Sequence, residues 1–383
     1  MDNPPKSYIE KLTLTNYRNY DNLVLRTDSS PIILLGDNGA GKTNVLEAVS
    51  LLSPGMGMRR APFSDLSLIG GDGGWAIAAH FQTETGPLDI GTGAQALGVK
   101  GERVGRIVRI DGEDARSPNA LGDHVELVWL TPSMDRLFTG PAGDRRRFLD
   151  QLISCFDTGY RKRLSQFERA LRQRNKLLEM EGASSPQLNG LELHVAEIGV
   201  GIAASRLEAV NQLAGSVTYR RKTNASSVFP WPEIAIDGVV EGWLSEMPAI
   251  EAEDNYCRLL NAGRVRDRAA KRTLDGPHRS DFLVAHGPKS MPAKVCSTGE
   301  QKALLISLIL AHAELVSRMR DFGAPLLLLD EIAAHLDESR REALFEELIS
   351  LGSQAWMTGT DLSDFEALKD RAQFFNIVDG AVT

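Results

Sequence analysis

A chain of 383 residues, 42% apolar and 25% charged, has the composition of an ordinary folded protein of two or three domains, which excludes a disordered or fibrous one. The net charge of −8 speaks mildly against a nucleic-acid binder, but it is unevenly spread: residues 300–383 carry about twice as many acids as bases, and residues 141–180 the reverse. No apolar run approaches a membrane span, the start MDNPPKSYIEK is not a signal peptide, and Cys155, Cys257 and Cys296 fit neither a zinc site nor a disulfide framework, so a cytoplasmic protein without a membrane partner is expected.

Residues 7–35 alternate and close on the apolar run PIILL, which predicts a strand or hairpin and then a buried strand. KTNVLEAVSLL (42–52) repeats apolar groups at Val45, Val49 and Leu52 and predicts a helix. From 54 to 125 glycine is dense and alternation frequent, as in WAIAAHF and GRIVRI, which predicts antiparallel strands; VELVWL (125–130) is a further strand. From about 145 to 216 the period is helical, interrupted by SSPQLNG (184–190), read as a turn. Residues 254–272 read as one basic helix; APLLLLD predicts a buried strand, 337–351 a helix and AWMTGT a strand. The expectation is an α/β head built from 1–140 and 275–383, with a mixed sheet and helices, carrying a mainly helical arm inserted at 141–274. Repeats and low-complexity tracts are absent from the sequence.

Three short motifs carry chemistry. Gly36–Thr43, GDNGAGKT, is a phosphate loop between a strand and a helix: Gly36, Asn38, Gly39 and Gly41 would turn backbone N–H groups around phosphate oxygens, the helix N-terminus adds positive dipole, Lys42 would reach the β/γ-phosphates and Thr43 suits Mg²⁺. A glycine turn that happens to precede a lysine is the plainer alternative. LLLLDE ends a buried strand in two carboxylates, Asp330 placed to hold Mg²⁺ and Glu331 to take a proton from an attacking water; the pair also reads as a mere helix start. HLD (335–337) brings Asp337 close in sequence. In CSTGEQKAL, Ser297, Gly299 and Glu300 open an apolar helix, which as plain structure is a capping box.

The order 36–43, 297–301, 330–331 resembles the ABC-type ATPases, and within them the RecF family of bacterial recombinational-repair proteins. LTLTNYRNYDNLVL, GDNGAGKTNVLEAVSLLSPGMGMR, GDRRRFLD (143–150), DGPHRSDF (275–282), STGEQKALLISLILA (297–311) and LLLLDEIAAHLD (326–337) carry that likeness along nearly the whole chain. The resemblance implies an ABC-type P-loop ATPase head that uses ATP and Mg²⁺ and forms an ATP-dependent homodimer, Ser297 and Gly299 of one copy capping the nucleotide of the other. It implies a weak, DNA-stimulated ATPase that grips double-stranded DNA and works with RecO and RecR to load RecA at gaps and stalled forks. It also places Arg18 and Asn19 near the nucleotide, although both read equally well as an exposed turn. Two departures suggest slow hydrolysis: VWLTPSM puts Thr131 to Ser133 where a glutamine is usual, and MTGTD lacks the histidine of transporter engines.

Cations in the arm suit a duplex backbone: Arg145, Arg146, Arg147, Arg161, Lys162, Arg163, Arg172, Arg174 and Lys176, then Arg264, Arg268, Lys271 and Arg272, whose spacing would share one helix face. A solvated, ion-paired helix face is the alternative. Aromatic residues, at 6%, are too sparse for stacking on single strands. His278 and Arg279 read as a metal or phosphate contact, or as a structural element near the nucleotide. The competing functions are an SMC-like chromosome ATPase head, for which a helical arm of about 39 Å is too short, and a small-molecule P-loop kinase, which has no use for Ser297–Glu300.

Overall fold

The computed structural model describes residues 7–95, 105–180, 185–224, 227–319, 324–334 and 336–382. In chain order the elements are β1 (Ser7–Tyr17), β2 (Tyr20–Arg26), β3 (Ile32–Leu35), α1 (Lys42–Ser50), β4 (Trp75–Thr83), β5 (Gly86–Ala94), β6 (Ile107–Ile110), β7 (Glu113–Asp114) and β8 (Leu127–Leu130). Then come α2 (Ala142–Ile153), α3 (Tyr160–Glu179), α4 (Ser185–Thr223), β9 (Pro232–Asp237), α5 (Val239–Glu246), α6 (Ala249–Ala262), α7 (Arg264–Ala270), β10 (Asp281–His286), β11 (Met291–Pro292) and α8 (Thr298–Met319). The chain closes with β12 (Leu326–Leu329), α9 (Glu338–Ser350), β13 (Ala355–Gly359), β14 (Gln373–Val378) and β15 (Ala381–Val382).

These elements form two compact units. The first takes residues up to 135, the segment 226–229 and residues from 308 on; the second takes 136–225 and 230–307, so 275–307 belong with the helices of the expected arm rather than with the phosphate-loop unit.

In the first unit, one sheet runs β2-β1-β4-β5-β6-β7 and is antiparallel throughout. Its strands bury alternate residues, Trp75, Ile77, Ala79 and Phe81 along β4, as a sheet covered on one face must. The other sheet runs β15-β14-β3-β13-β12-β8, parallel from β14 to β8. LLLL of β12 and AWMTG of β13 are buried at every position, the pattern of a parallel strand covered on both faces. Gln354, just before β13, ties the two sheets: its Oε1 accepts from Ile9 N (2.9 Å) and Trp356 Nε1 (3.1 Å), and its Nε2 donates to Ile9 O (3.0 Å) and Asp28 O (2.7 Å). Both lone pairs and both N–H groups of a buried amide are thereby satisfied.

The parallel strands all point the same way, so the segments after Leu35, Leu130, Leu329 and Gly359 gather at one sheet edge. Ligands of open α/β sheets bind at that carboxyl edge.

In the second unit, β11-β10-β9 form a small antiparallel sheet among helices. Two expectations fail here. Residues 185–190 are the first turns of the 39-residue α4 rather than a turn; residue 184 lies outside the described residues. Pro186 sits where a helix needs no N–H donor, so the turn-like composition is tolerated. The single helix over 254–272 is also broken: α6 ends before Gly263 and α7 stops at Ala270, with Lys271 left-handed at φ 54°. Among the described residues no helix is long and apolar enough to cross a membrane.

The core of this unit holds two buried guanidinium groups. Arg174, fully buried on α3, donates to Glu192 on α4 (2.9 Å), to Asp267 (2.7 Å) and Thr273 (2.8 Å), and to Leu260 O (2.7 Å). Arg206 on α4 forms a two-pronged pair with Asp150 of α2 (2.9 and 3.0 Å) and also donates to Pro277 O; Tyr160 Oη donates to the same carboxylate. Desolvating these charges is tolerated because every prong finds a partner.

Candidate nucleotide site

The phosphate loop leaves β3 and enters α1 through Gly36, Gly39 and Gly41, at φ 144°, 89° and 119°. A Cβ at Gly36 would stand 2.2 Å from Ile377 O, and one at Gly41 2.6 Å from Tyr20 Oη, so both turns need glycine on steric grounds as well. Lys42 is buried at the first turn of α1, its Nζ donating to Gly36 O (2.5 Å) and Asp37 O (2.8 Å). Burial pulls the ammonium pKa below its usual value, against the opposing pull of Glu331, Asp330 and Asp37. Asn38 lies exposed on the outer turn of the loop.

Thr43 Oγ1 donates to Asp330 Oδ1 (3.0 Å), so the loop and the acidic pair, 287 residues apart, meet. Thr358 Oγ1 donates to the same oxygen (2.8 Å) and accepts from the backbone N–H of Glu331 (2.8 Å). Glu331 is exposed and left-handed, φ 50°. Asp330 N donates to Leu130 O (2.9 Å), which puts Thr131 beside the acids; its hydroxyl pairs with that of Ser133 (2.8 Å). Asp337 caps α9, accepting from Arg340 N (2.9 Å).

Behind the loop runs a polar network. Asn19 Nδ2 donates to Ala40 O (3.1 Å) and Asn44 donates to Asn19 Oδ1 (2.7 Å), so Asn19 buttresses the loop. Arg18 is not an exposed turn residue: it makes a two-pronged pair with the buried Glu47 of α1 (2.9 Å twice) and donates to Asp65 O (2.8 Å). At the far end of α1, Arg106 caps the free carbonyls, donating to Leu51 O, Ser53 O (3.2 and 3.3 Å), Gly55 O (2.7 Å) and Thr92 Oγ1 (2.8 Å). Burial lowers its pKa to about 10.

In the second unit Ser297 and Glu300 form the reciprocal cap that opens α8. Ser297 N (2.9 Å) and Oγ (2.8 Å) donate to Glu300, and Glu300 N donates back to Ser297 Oγ (3.4 Å). Lys289 pairs with the other carboxylate oxygen, and together these bonds hold the Glu300 carboxyl down at about 2. Ser297 is exposed and Gly299 half-buried.

The arm cations divide sharply. Arg145 is clamped on Asp281 (2.7 and 2.8 Å) and Gly140 O; Arg146 donates to Ser280 O; Arg147 pairs with Asp144, Arg163 with Asp157, and Arg264 with Glu192. Arg174 is fully buried and so is no part of a surface stripe. Arg268 donates to Leu178 O (2.6 Å) but its side chain is exposed, Arg161 is half-buried, and Arg172, 69% exposed, stands 3.8 Å from Glu168. Because α7 ends at Ala270, Arg264, Arg268, Lys271 and Arg272 do not share one helix face. His278 Nε2 donates to Thr273 O (2.9 Å), and the ring packs on Phe167 and is pushed down to about 4 by burial. His278 is held by contacts within its own unit, and among the described residues no group of three or more His, Cys, Asp or Glu could hold a metal ion.

Thr358, Glu47 and Arg106 were not anticipated. A strand threonine, a helix glutamate and a loop arginine have ordinary local explanations; strand order brings Thr358 to the acids, Arg18 folds back on Glu47 of α1, and Arg106 reaches the far end of that helix.

Comparison with known proteins agrees with this geometry. A model of the RecF/RecN/SMC N terminal domain matches residues 8–366. The fold is also close to a solved structure of the recombination mediator protein RecF-ATPrS in the RecFOR pathway: TM-score 0.85 at 23% identity, covering 100% of this chain and 99% of that one. An Smc head domain from Pyrococcus furiosus gives a TM-score of 0.54 at 16% identity, covering 98% and 95%. The fold is therefore an ABC-type P-loop ATPase head of the RecF/RecN/SMC class. Relatives named DNA replication and repair protein RecF, from Mesorhizobium japonicum and Rhizobium etli, are each 49% identical over 379 and 380 residues, covering 99% of this chain and 98 and 99% of theirs. The chain belongs to the RecF family.

Proposed function

We propose that this chain is an ATP-gated DNA clamp of recombinational repair, a cytoplasmic protein that dimerises on ATP and hydrolyses it slowly. What carries the reading is the line Thr43–Asp330–Thr358–Glu331, which joins the phosphate loop to the acidic pair at one sheet edge. The glycine turns and the α1 N-terminus present N–H groups to phosphate oxygens, and Lys42 exchanges its loop carbonyls for the β/γ-phosphates. Thr43 and Asp330 fit Mg²⁺, a hydroxyl and a carboxylate 3.0 Å apart beside the loop; the cation, when bound, neutralises phosphate charge. Glu331 accepts a proton from water as the water oxygen bonds to the γ-phosphorus and ADP leaves.

Ser297 and Gly299 of a second copy complete each site, with the α8 N-terminus supplying dipole to the γ-phosphate; Glu300 fixes that cap. Asp337 lies on the chain following the acids and Asn19 holds the loop from behind. In the closed dimer the exposed arm cations Arg172, Arg268 and Lys271, with the half-buried Arg161, meet duplex phosphates. The relatives' names support a role in DNA replication and repair, and the neighbour's place in the RecFOR pathway supports RecO and RecR as partners; RecA loading at gaps and stalled forks is the proposed outcome.

An SMC-like rod is disfavoured because α3 and α4 hold 20 and 39 residues and α4 begins at Ser185, soon after α3 ends at Glu179. A small-molecule kinase is separated by turnover: the clamp answers to duplex DNA, a kinase to a metabolite. The decisive test is size-exclusion with light scattering. Lys42→Ala and Ser297→Arg should each abolish ATP-dependent dimers, and normal dimers in both variants would refute the clamp.

A further inference from the structure

We propose that Thr358 is a positioning residue for hydrolysis: it holds the Glu331 backbone so that the carboxylate faces the attacking water. This rests on the reading of Glu331 as general base.

β13 lies between β3, which carries the phosphate loop, and β12, which carries the acids. Thr358 stands near the carboxyl end of β13, opposite Leu34 of β3 in register and one residue beyond Met357, the partner of Leu329. A side chain there can reach the first residues after β12. The hydroxyl is completely buried, its one hydrogen on Asp330 Oδ1 (2.8 Å) and a lone pair accepting from Glu331 N (2.8 Å). Asp330 Oδ1 also takes the hydrogen of Thr43 (3.0 Å). The orientation of the acid and the backbone of the next residue therefore share one anchor.

That anchor matters because Glu331 is exposed and left-handed, at φ 50°. A non-glycine residue holds this conformation only where its surroundings over-determine it. The bond from Thr358 to its amide is such a determinant, and without it the segment after β12 is free to relax toward the ordinary helical or extended regions. The Glu331 carboxylate would then leave the line of attack while the phosphate loop, one strand away, stays formed. The defect belongs in turnover and not in ATP capture.

The test compares Thr358→Val, which keeps the shape and removes the hydroxyl, with Thr358→Ser, which restores it, alongside Glu331→Gln. The readouts are ATP turnover, affinity for a fluorescent ATP analogue, and hydrogen exchange of peptides covering 326–334. For Thr358→Val the expected results are a 10- to 100-fold fall in kcat, a KM and analogue affinity within about threefold of the parent, and faster exchange over 326–334. Thr358→Ser should recover kcat to within about fivefold. Parental kcat in Thr358→Val, unchanged exchange, a raised KM with intact kcat, or equal losses in both Thr358 variants would each overturn the proposal. If Glu331→Gln turns over like the parent, the general-base reading fails instead, a result that the Glu331→Gln arm shows by itself. Should Thr358→Val melt early, Thr358→Ser and the exchange data still decide.

Discussion

In the first unit Lys42 and Arg106 direct their N–H groups onto main-chain carbonyls at the two ends of α1; in the second, Arg174 and Arg206 meet carboxylates contributed by neighbouring helices. The same residue types thus do unlike things. A cation beside a phosphate loop is located by local backbone geometry, since three left-handed glycines and a strand–helix junction leave it little choice. A cation on a helix is located by which helix packs over it, and nothing nearby in sequence says whether its face looks inward.

This contrast can be broken most forcefully at Arg206. Arg206→Met would leave Asp150 buried without its partner and should lower unfolding stability by about 3–5 kcal/mol in urea titration, against less than about 0.5 kcal/mol for Arg172→Met on the exposed face. A comparable loss at both positions would erase the distinction between internal and surface cations. At the other pole, Glu331→Gln should leave ATP binding intact and lower single-turnover hydrolysis about 100-fold.

Arg106→Gln sharpens the comparison inside the first unit. Carbonyls at the end of α1 would lose a charged donor, for about 2 kcal/mol of stability. The smallest effect is expected at the α8 cap. The Glu300 carboxyl is held at about 2, below its ordinary 4.5, by the Lys289 pair and the Ser297 donors. Its contribution is therefore present above pH 4.5 and lost as pH falls toward 2. Thermal melts of the parent and Glu300→Gln should differ by about 1 °C at pH 6 and converge near pH 2; a difference that grows on acidification would reverse the sign.

Much of the first unit is legible in the sequence. PIILL, KTNVLEAVSLL and LLLLDE carry both the strand–loop–helix and the acid-ending strand, because glycine placement and all-apolar strands act locally. Thr358 and Glu47 escaped, since each has a bland local role and gains meaning only from the β3-β13-β12 order or from Arg18 folding back on α1. In the second unit the helical period was readable but its interruptions were not: SSPQLNG has turn composition yet starts α4, and the basic run at 264–272 outlasts its helix. Arg174 shows the limit most plainly. Counted as a surface charge, it is buried among Glu192, Asp267 and Thr273, residues up to 99 positions away.

In the proposed function ATP joins two copies of this chain, each lending the Ser297 end of α8 to the other's phosphate loop. It is tested most directly by the mass of Glu331→Gln at saturating ATP and Mg²⁺, measured by light scattering with and without Ser297→Arg in the same chain. Glu331→Gln should be a dimer and the double variant a monomer. A monomer in the first case, or a dimer in both, contradicts it.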